Sequence, residues 1–105
     1  MELRISSPNT DLTPAVRQYV ESKLSKVNRH LPGISEAKVE ITEEKTKSAR
    51  YRFVAKVTIS SQGKLLYGEE RGEDILTVID RVTEVMNRQI EHHKGKLYDL
   101  SLIHI

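Results

Sequence analysis

Apolar and polar residues alternate along residues 2–7, Glu-Leu-Arg-Ile-Ser-Ser, which predicts a short strand ended by Pro8-Asn9. The period then changes. Val16, Val20, Leu24, Val27 and Leu31 recur at spacings of 4, 4, 3 and 4, one stripe of an amphipathic helix from about Pro14 to His30. Thr13 is placed to cap that helix, Pro14 suits its first position, and Leu12 can act as a hydrophobic staple. Pro32-Gly33 stops it. Alternation returns over residues 36–44, with Ala37, Val39 and Ile41 on one face, and the chain turns at Thr46-Lys47-Ser48. It alternates again over residues 50–60, with Tyr51, Phe53, Ala55, Val57 and Ile59 on the apolar face. Ser61-Gln62-Gly63 signals a tight hairpin into a shorter strand over residues 64–70. Arg71-Gly72-Glu73-Asp74 breaks the pattern, and Asp74 is a second capping candidate. Ile75, Val78, Ile79, Val82, Met86 and Ile90 then mark a helix from about Ile75 to His93, with Gly95 as its stop. Leu97 to Ile105 is apolar without a clear period.

The element order is β-α-β-β-β-α. A helix joining the first two strands is a crossover, so those strands should be parallel and the connection right-handed. The other strands form an antiparallel meander. Two amphipathic helices and one apolar sheet face predict an α+β two-layer sandwich: a four-stranded mixed sheet with two roughly parallel helices on one face. Residues 1–96 form that domain, and residues 97–105 read as a C-terminal tail or the start of a linker.

Composition narrows the chemistry. The 105 residues contain no cysteine, which excludes disulfides, a thiol nucleophile and Cys-based metal sites. No apolar run approaches the roughly 20 residues of a membrane span. The N-terminus shows no basic-then-apolar leader, so a cytoplasmic protein is expected. With no Trp and one Phe, base stacking is not expected to dominate nucleic-acid binding.

Seventeen Lys and Arg against fifteen Asp and Glu give a net charge of only +2, so the distribution of charge matters more than its sum. At about 100° per residue, Tyr19, Lys23, Lys26 and His30 fall in one row beside the first apolar stripe. Arg81, Val85, Arg88 and His92 make an equivalent row on the second helix. Arg29 lies farther round the first helix, and Lys94 and Lys96 follow the second. Residues 36–44 carry four Glu against one Lys, and residues 69–74 carry four acids against one Arg. Such rows are either solvated helix faces with long side chains along the core edge or a surface for RNA phosphates. Two matching rows, with acids placed elsewhere, support the second reading.

Other constellations are weaker. His92-His93 point to different sides of a helix and have no third ligand at metal-site spacing, so no metal or cofactor is expected. Asp80 and Glu84 lie four apart and read as ion-pair partners of Arg81 and Arg88. Gly63, Gly68 and Gly72 fit no phosphate-binding loop. No catalytic residue set stands out, and neither an enzyme nor a small-molecule substrate is expected.

Three segments carry a family resemblance. Thr13-Pro14-Ala15-Val16-Arg17 with Tyr19-Val20-Glu21-Ser22-Lys23-Leu24-Ser25-Lys26-Val27, then Gly72 to Asp80, then Met86-Asn87-Arg88-Gln89-Ile90, resemble the ribosome hibernation-promoting factor and ribosome-associated inhibitor family. The resemblance covers nearly all of residues 1–96. It implies a factor that binds the small ribosomal subunit and its rRNA in the decoding channel, blocks mRNA and tRNA binding, and inhibits translation in resting or stressed cells. It assigns RNA contacts to Lys23, Lys26, Arg29, Arg88 and Lys94, to which the row adds Arg81 and His92. Val85 and His92 stand where the family usually carries basic residues, and Ile75-Leu76 replaces its Met-Tyr pair. The alternative is a protein–protein module that self-associates through the apolar tail. Salt dependence separates the two, because phosphate contacts weaken steeply with salt and apolar association does not.

Overall fold

Each helix begins just after the residue whose side chain caps it. In the computed structural model, which describes residues 1–31, 33–45 and 48–102, with side chains as far as His92, helix α1 spans Pro14–His30. The Thr13 hydroxyl accepts the Val16 amide at 3.2 Å. Helix α2 spans Ile75–Leu102, and its Asp74 cap accepts the Thr77 amide at 2.8 Å and the Thr77 hydroxyl at 3.0 Å. Both caps satisfy backbone donors that the first turn leaves open. Leu12 and Val16 each pack against the core.

Four strands lie in the order β1 (Glu2–Ser6), β2 (Ile34–Glu43), β3 (Phe53–Ser61) and β4 (Lys64–Gly72). β1 runs parallel to β2, with Leu3 opposite Ala37 and Ile5 opposite Val39. β2–β3 and β3–β4 are antiparallel. Beyond β1, the Asn9 amide imitates a further pairing, exchanging two 2.8 Å bonds with the Glu43 backbone. The two-residue β3–β4 turn has positive φ at both Gln62 (50°) and Gly63 (77°), the twist that suits a hairpin. Both helices run opposite to the strands that precede them, so they are parallel to each other.

Val20, Leu24 and Val27 of α1 meet Val78, Ile79, Val82, Met86 and Ile90 of α2 over Val39, Ile41, Val57 and Ile59 of the sheet. Each side chain so buried contributes about 1.5–3 kcal/mol relative to exposure. Gly68 lets α2 approach closely, since a Cβ there would stand 2.6 Å from Met86 Sδ.

Two expectations need correction. Residues 50–52 do not extend β3. Ala49–Tyr51 form a 3₁₀ turn, with the Tyr51 amide donating to Ser48 O at 3.0 Å, and Tyr51 is 50% exposed instead of facing the core. Alternation cannot separate a strand from a turn that happens to alternate, and β2 leaves the sheet where Glu43 pairs with Phe53. Likewise, α2 does not stop at Gly95 but continues to Leu102. A lone glycine costs a helix about 1 kcal/mol relative to alanine, too little to end it without a competing turn. A 28-residue helix is about 42 Å long, whereas nine-residue β4 spans about 30 Å, so the last turns of α2 run past the sheet. Pro32 and the Thr46-Lys47 turn lie outside the described residues. So do the side chains expected to make a self-associating tail.

Candidate nucleic-acid interface

The α1 row faces α2. Tyr19 donates its hydroxyl to Asp80 Oδ1 across the helix–helix contact. Lys23 Nζ lies 3.2 Å from the same oxygen and 5.4 Å above the Tyr19 ring centroid. The Tyr19 hydrogen bond, reinforced by Lys23, holds the Asp80 carboxyl below its usual range. Asp80 in turn raises the pKa of both Tyr19 and Lys23. Lys23, expected as an open phosphate ligand, therefore has its charge matched inside the protein.

Lys26 and Arg29 differ. Both are exposed, and among the described residues neither takes part in an ion pair. With Arg17, which is likewise exposed and takes part in no ion pair among the described residues, they are open cations of α1.

The α2 row turns the other way, toward the β4 edge. Arg81 donates to Arg71 O at 2.9 Å, and Gln89 donates to Tyr67 O at 2.5 Å. Val85 is half-buried, with Cγ1 3.1 Å from where a Gly68 Cβ would stand. The two rows thus do not line opposite walls of one groove. The flank of α2 that meets α1 carries Asp80, Asn87 and Glu91, with Glu84 beside them. Asn87 Oδ1 is buried there without a hydrogen-bond partner among the described residues.

Asp80 therefore pairs with Lys23 rather than with Arg81. The Glu84–Arg88 pair forms at 3.7 Å, but with side chains 70% and 77% exposed it is a weak surface contact that leaves Arg88 accessible. His92 is exposed on the same flank. The Lys94 backbone lies in α2, and its side chain is outside the described residues.

Of the cations singled out in the sequence, Lys26, Arg29 and Arg88 are thus open, with His92 beside Arg88. Sequence reasoning missed Asp80 as an inter-helix partner, although Asp80, Asn87 and Glu91 at spacings of 7 and 4 trace a polar row of their own. Among the described residues, no group of three His, Cys, Asp or Glu is placed to hold a metal, and no helix is long and apolar enough to cross a membrane.

The geometry defines a small two-layer α+β domain with exposed cations on its helical layer. The family model for the sigma 54 modulation protein / S30EA ribosomal protein matches residues 3–98. The chain belongs to that family. It is 32% identical over 96 residues to a ribosome hibernation promoting factor of Azotobacter vinelandii, covering 91% of this chain and 85% of that protein. It is 30% identical over 93 residues to a ribosome hibernation promotion factor of Deinococcus radiodurans, covering 89% of this chain but 49% of that longer relative. Among solved structures, the Thermus thermophilus Protein Y N-terminal domain superposes with a TM-score of 0.75 at 28% identity, covering 89% of this chain and 99% of that one. A ribosomal subunit interface protein from Coxiella burnetii shares the fold, with a TM-score of 0.80 at 18% identity over 90% of this chain and 99% of that one.

Proposed function

We propose that the protein is a ribosome hibernation factor. Its helical layer seats on the small ribosomal subunit in the decoding channel, occupies the path of mRNA and tRNA, and inhibits translation in resting or stressed cells. It works by occupancy and not by catalysis. The observation that carries this reading is the placement of Lys26, Arg29 and Arg88 as exposed cations on the layer formed by α1 and α2, in a chain whose family includes ribosome hibernation factors. His92 extends the same surface along α2. Lys23 acts first as a positioning residue that locks α1 to α2 through Asp80. Arg81 belongs to the β4 edge and not to this surface.

Contacts of this kind fix position without reading base sequence. Cosedimentation with small subunits should therefore be strong at low salt, weaker at moderate salt, and lost when mRNA and tRNA are loaded first. Binding that ignores salt, or that persists beside bound mRNA and tRNA, overturns the reading.

A further inference from the structure

Arg81 leaves the helical row and meets residues from the far end of the sheet. With Arg50, Tyr51 and Glu73 it lines an open cleft of about 390 Å³. With Tyr51, Glu69, Glu70 and Arg71 it lines a second cleft, also about 390 Å³. Tyr51 and Arg81 are common to both. Tyr51 is half-exposed because the 3₁₀ turn lifts it off the core face. Arg81 is anchored to Arg71 O through one nitrogen, which leaves most of its five N–H donors for a ligand.

The charges on the two sides of Tyr51 differ. The first cleft carries two guanidinium groups against the Glu73 carboxylate. In the second, Arg71 is occupied by Glu44 at 2.8 and 3.3 Å and lies 3.9 Å from Glu69, which also accepts from the Tyr67 hydroxyl at 3.2 Å. Glu70 adds a further carboxylate there.

We infer that this pair of clefts is a nucleotide-binding site for an unpaired RNA residue, with the phosphate between Arg50 and Arg81, the base on the Tyr51 ring, and its exocyclic amine toward Glu70 and Glu69. Exposed aromatics stack unpaired bases, guanidinium groups take phosphate, and carboxylates accept from base amines. Cytosine presents an N4 amine where uracil presents a carbonyl oxygen, which carboxylates repel. The site therefore prefers cytidine to uridine. The inference rests on the RNA-binding reading for its partner but uses none of the same residues.

The test is a titration of the isotope-labelled protein with pentacytidylate and pentauridylate, followed by NMR, with CMP and UMP as mononucleotide arms. Backbone amide shifts are expected at residues 50–52 and at Arg81, with pentacytidylate binding severalfold tighter than pentauridylate. Tyr51→Ala and Arg50→Glu each weaken pentacytidylate about tenfold, and Tyr51→Phe restores it. Lys26→Glu leaves these shifts in place, so failure of the helical surface and failure of this site are told apart. A CMP affinity equal to that of the pentamer assigns the site to free nucleotides, and a much weaker one assigns it to RNA. Equal affinity for the two pentamers, or shifts absent from residues 50–52, overturns the inference.

Discussion

The two helices carry rows of the same spacing and use them differently. On α1, two residues of the row bind α2 through Asp80, while Lys26 and neighbouring Arg29 remain open. On α2, Arg81 is held by the β4 backbone and Val85 is packed over Gly68, leaving Arg88 and His92 at the surface. The difference comes from what each flank faces. α1 has a helix beside its row, so a carboxylate can reach across. α2 has a sheet edge beside its row, so backbone carbonyls take the donors. A periodic row of cations is a local property; its availability is a tertiary one.

The sharpest test of that asymmetry reverses charge on each helix in turn. Lys26→Glu with Arg29→Glu should weaken small-subunit binding about 100-fold and flatten the salt slope by about 1.4–1.8. Arg88→Glu should cost about tenfold, because Glu84 already shares its charge. Both variants should melt close to the parent, since exposed charges contribute roughly 0–1 kcal/mol each. Equal losses on the two helices would break the comparison.

A smaller effect, of opposite sign, is expected at Asp80. Asp80→Asn keeps an oxygen to accept the Tyr19 hydroxyl but frees the Lys23 charge. Small-subunit binding should tighten severalfold, with a salt slope steeper by about 0.7–0.9. An unchanged slope would mean that Lys23 does not reach the RNA even when released.

The same cluster sets a pH dependence. The Asp80 pKa is lowered on folding from its ordinary value, so its contribution is full above that ordinary value and is lost as pH falls through the folded pKa. The Lys23 pKa is raised from 10.5, so its contribution is full below that value and is lost as pH rises through the folded pKa. Melting curves of the parent should therefore drop more steeply at both extremes than those of Asp80→Asn. Superimposable profiles would show that the cluster adds nothing to stability.

The smallest effect is expected at Val85. Val85→Lys adds a charge at the margin of the α2 row, but its stem must lie along the packed surface over Gly68. A stability loss of about 1 kcal/mol with a less than threefold gain in small-subunit affinity is expected, measured by melting and by cosedimentation. A large gain without loss would place position 85 on the open surface after all.

Much of this was legible in the chain. Thr13 and Asp74 announce both helix starts, because capping is a local competition for the first backbone donors. Val39, Ile41, Val57 and Ile59 announce the buried sheet face, because a strand repeats every two residues. Arg50 to Arg52 misled, because alternation without a pairing partner looks the same in a turn. Gly95 misled, because a helix stop needs a competing conformation and not only a weak helix former. Of the site, the exposure of Lys26, Arg29 and Arg88 followed from projection. The capture of Lys23 and Arg81 did not, since both partners lie on other elements.

The bonds from Gln89 and Arg81 to β4 bear on the protein's behaviour at high concentration. Pairing of Ser61 with Lys64 across the hairpin turns the peptide groups of residues 65, 67, 69 and 71 outward along the free margin of the sheet. Such a margin is a template on which another chain can add a strand, and from there a fibre. Two of its four carbonyls, at Tyr67 and Arg71, are already taken by α2. The helix that carries Arg88 to the surface thus also keeps the sheet from growing. A substitution at position 81 or 89 chosen to alter ribosome binding would also loosen that guard, and precipitation would then be mistaken for lost affinity.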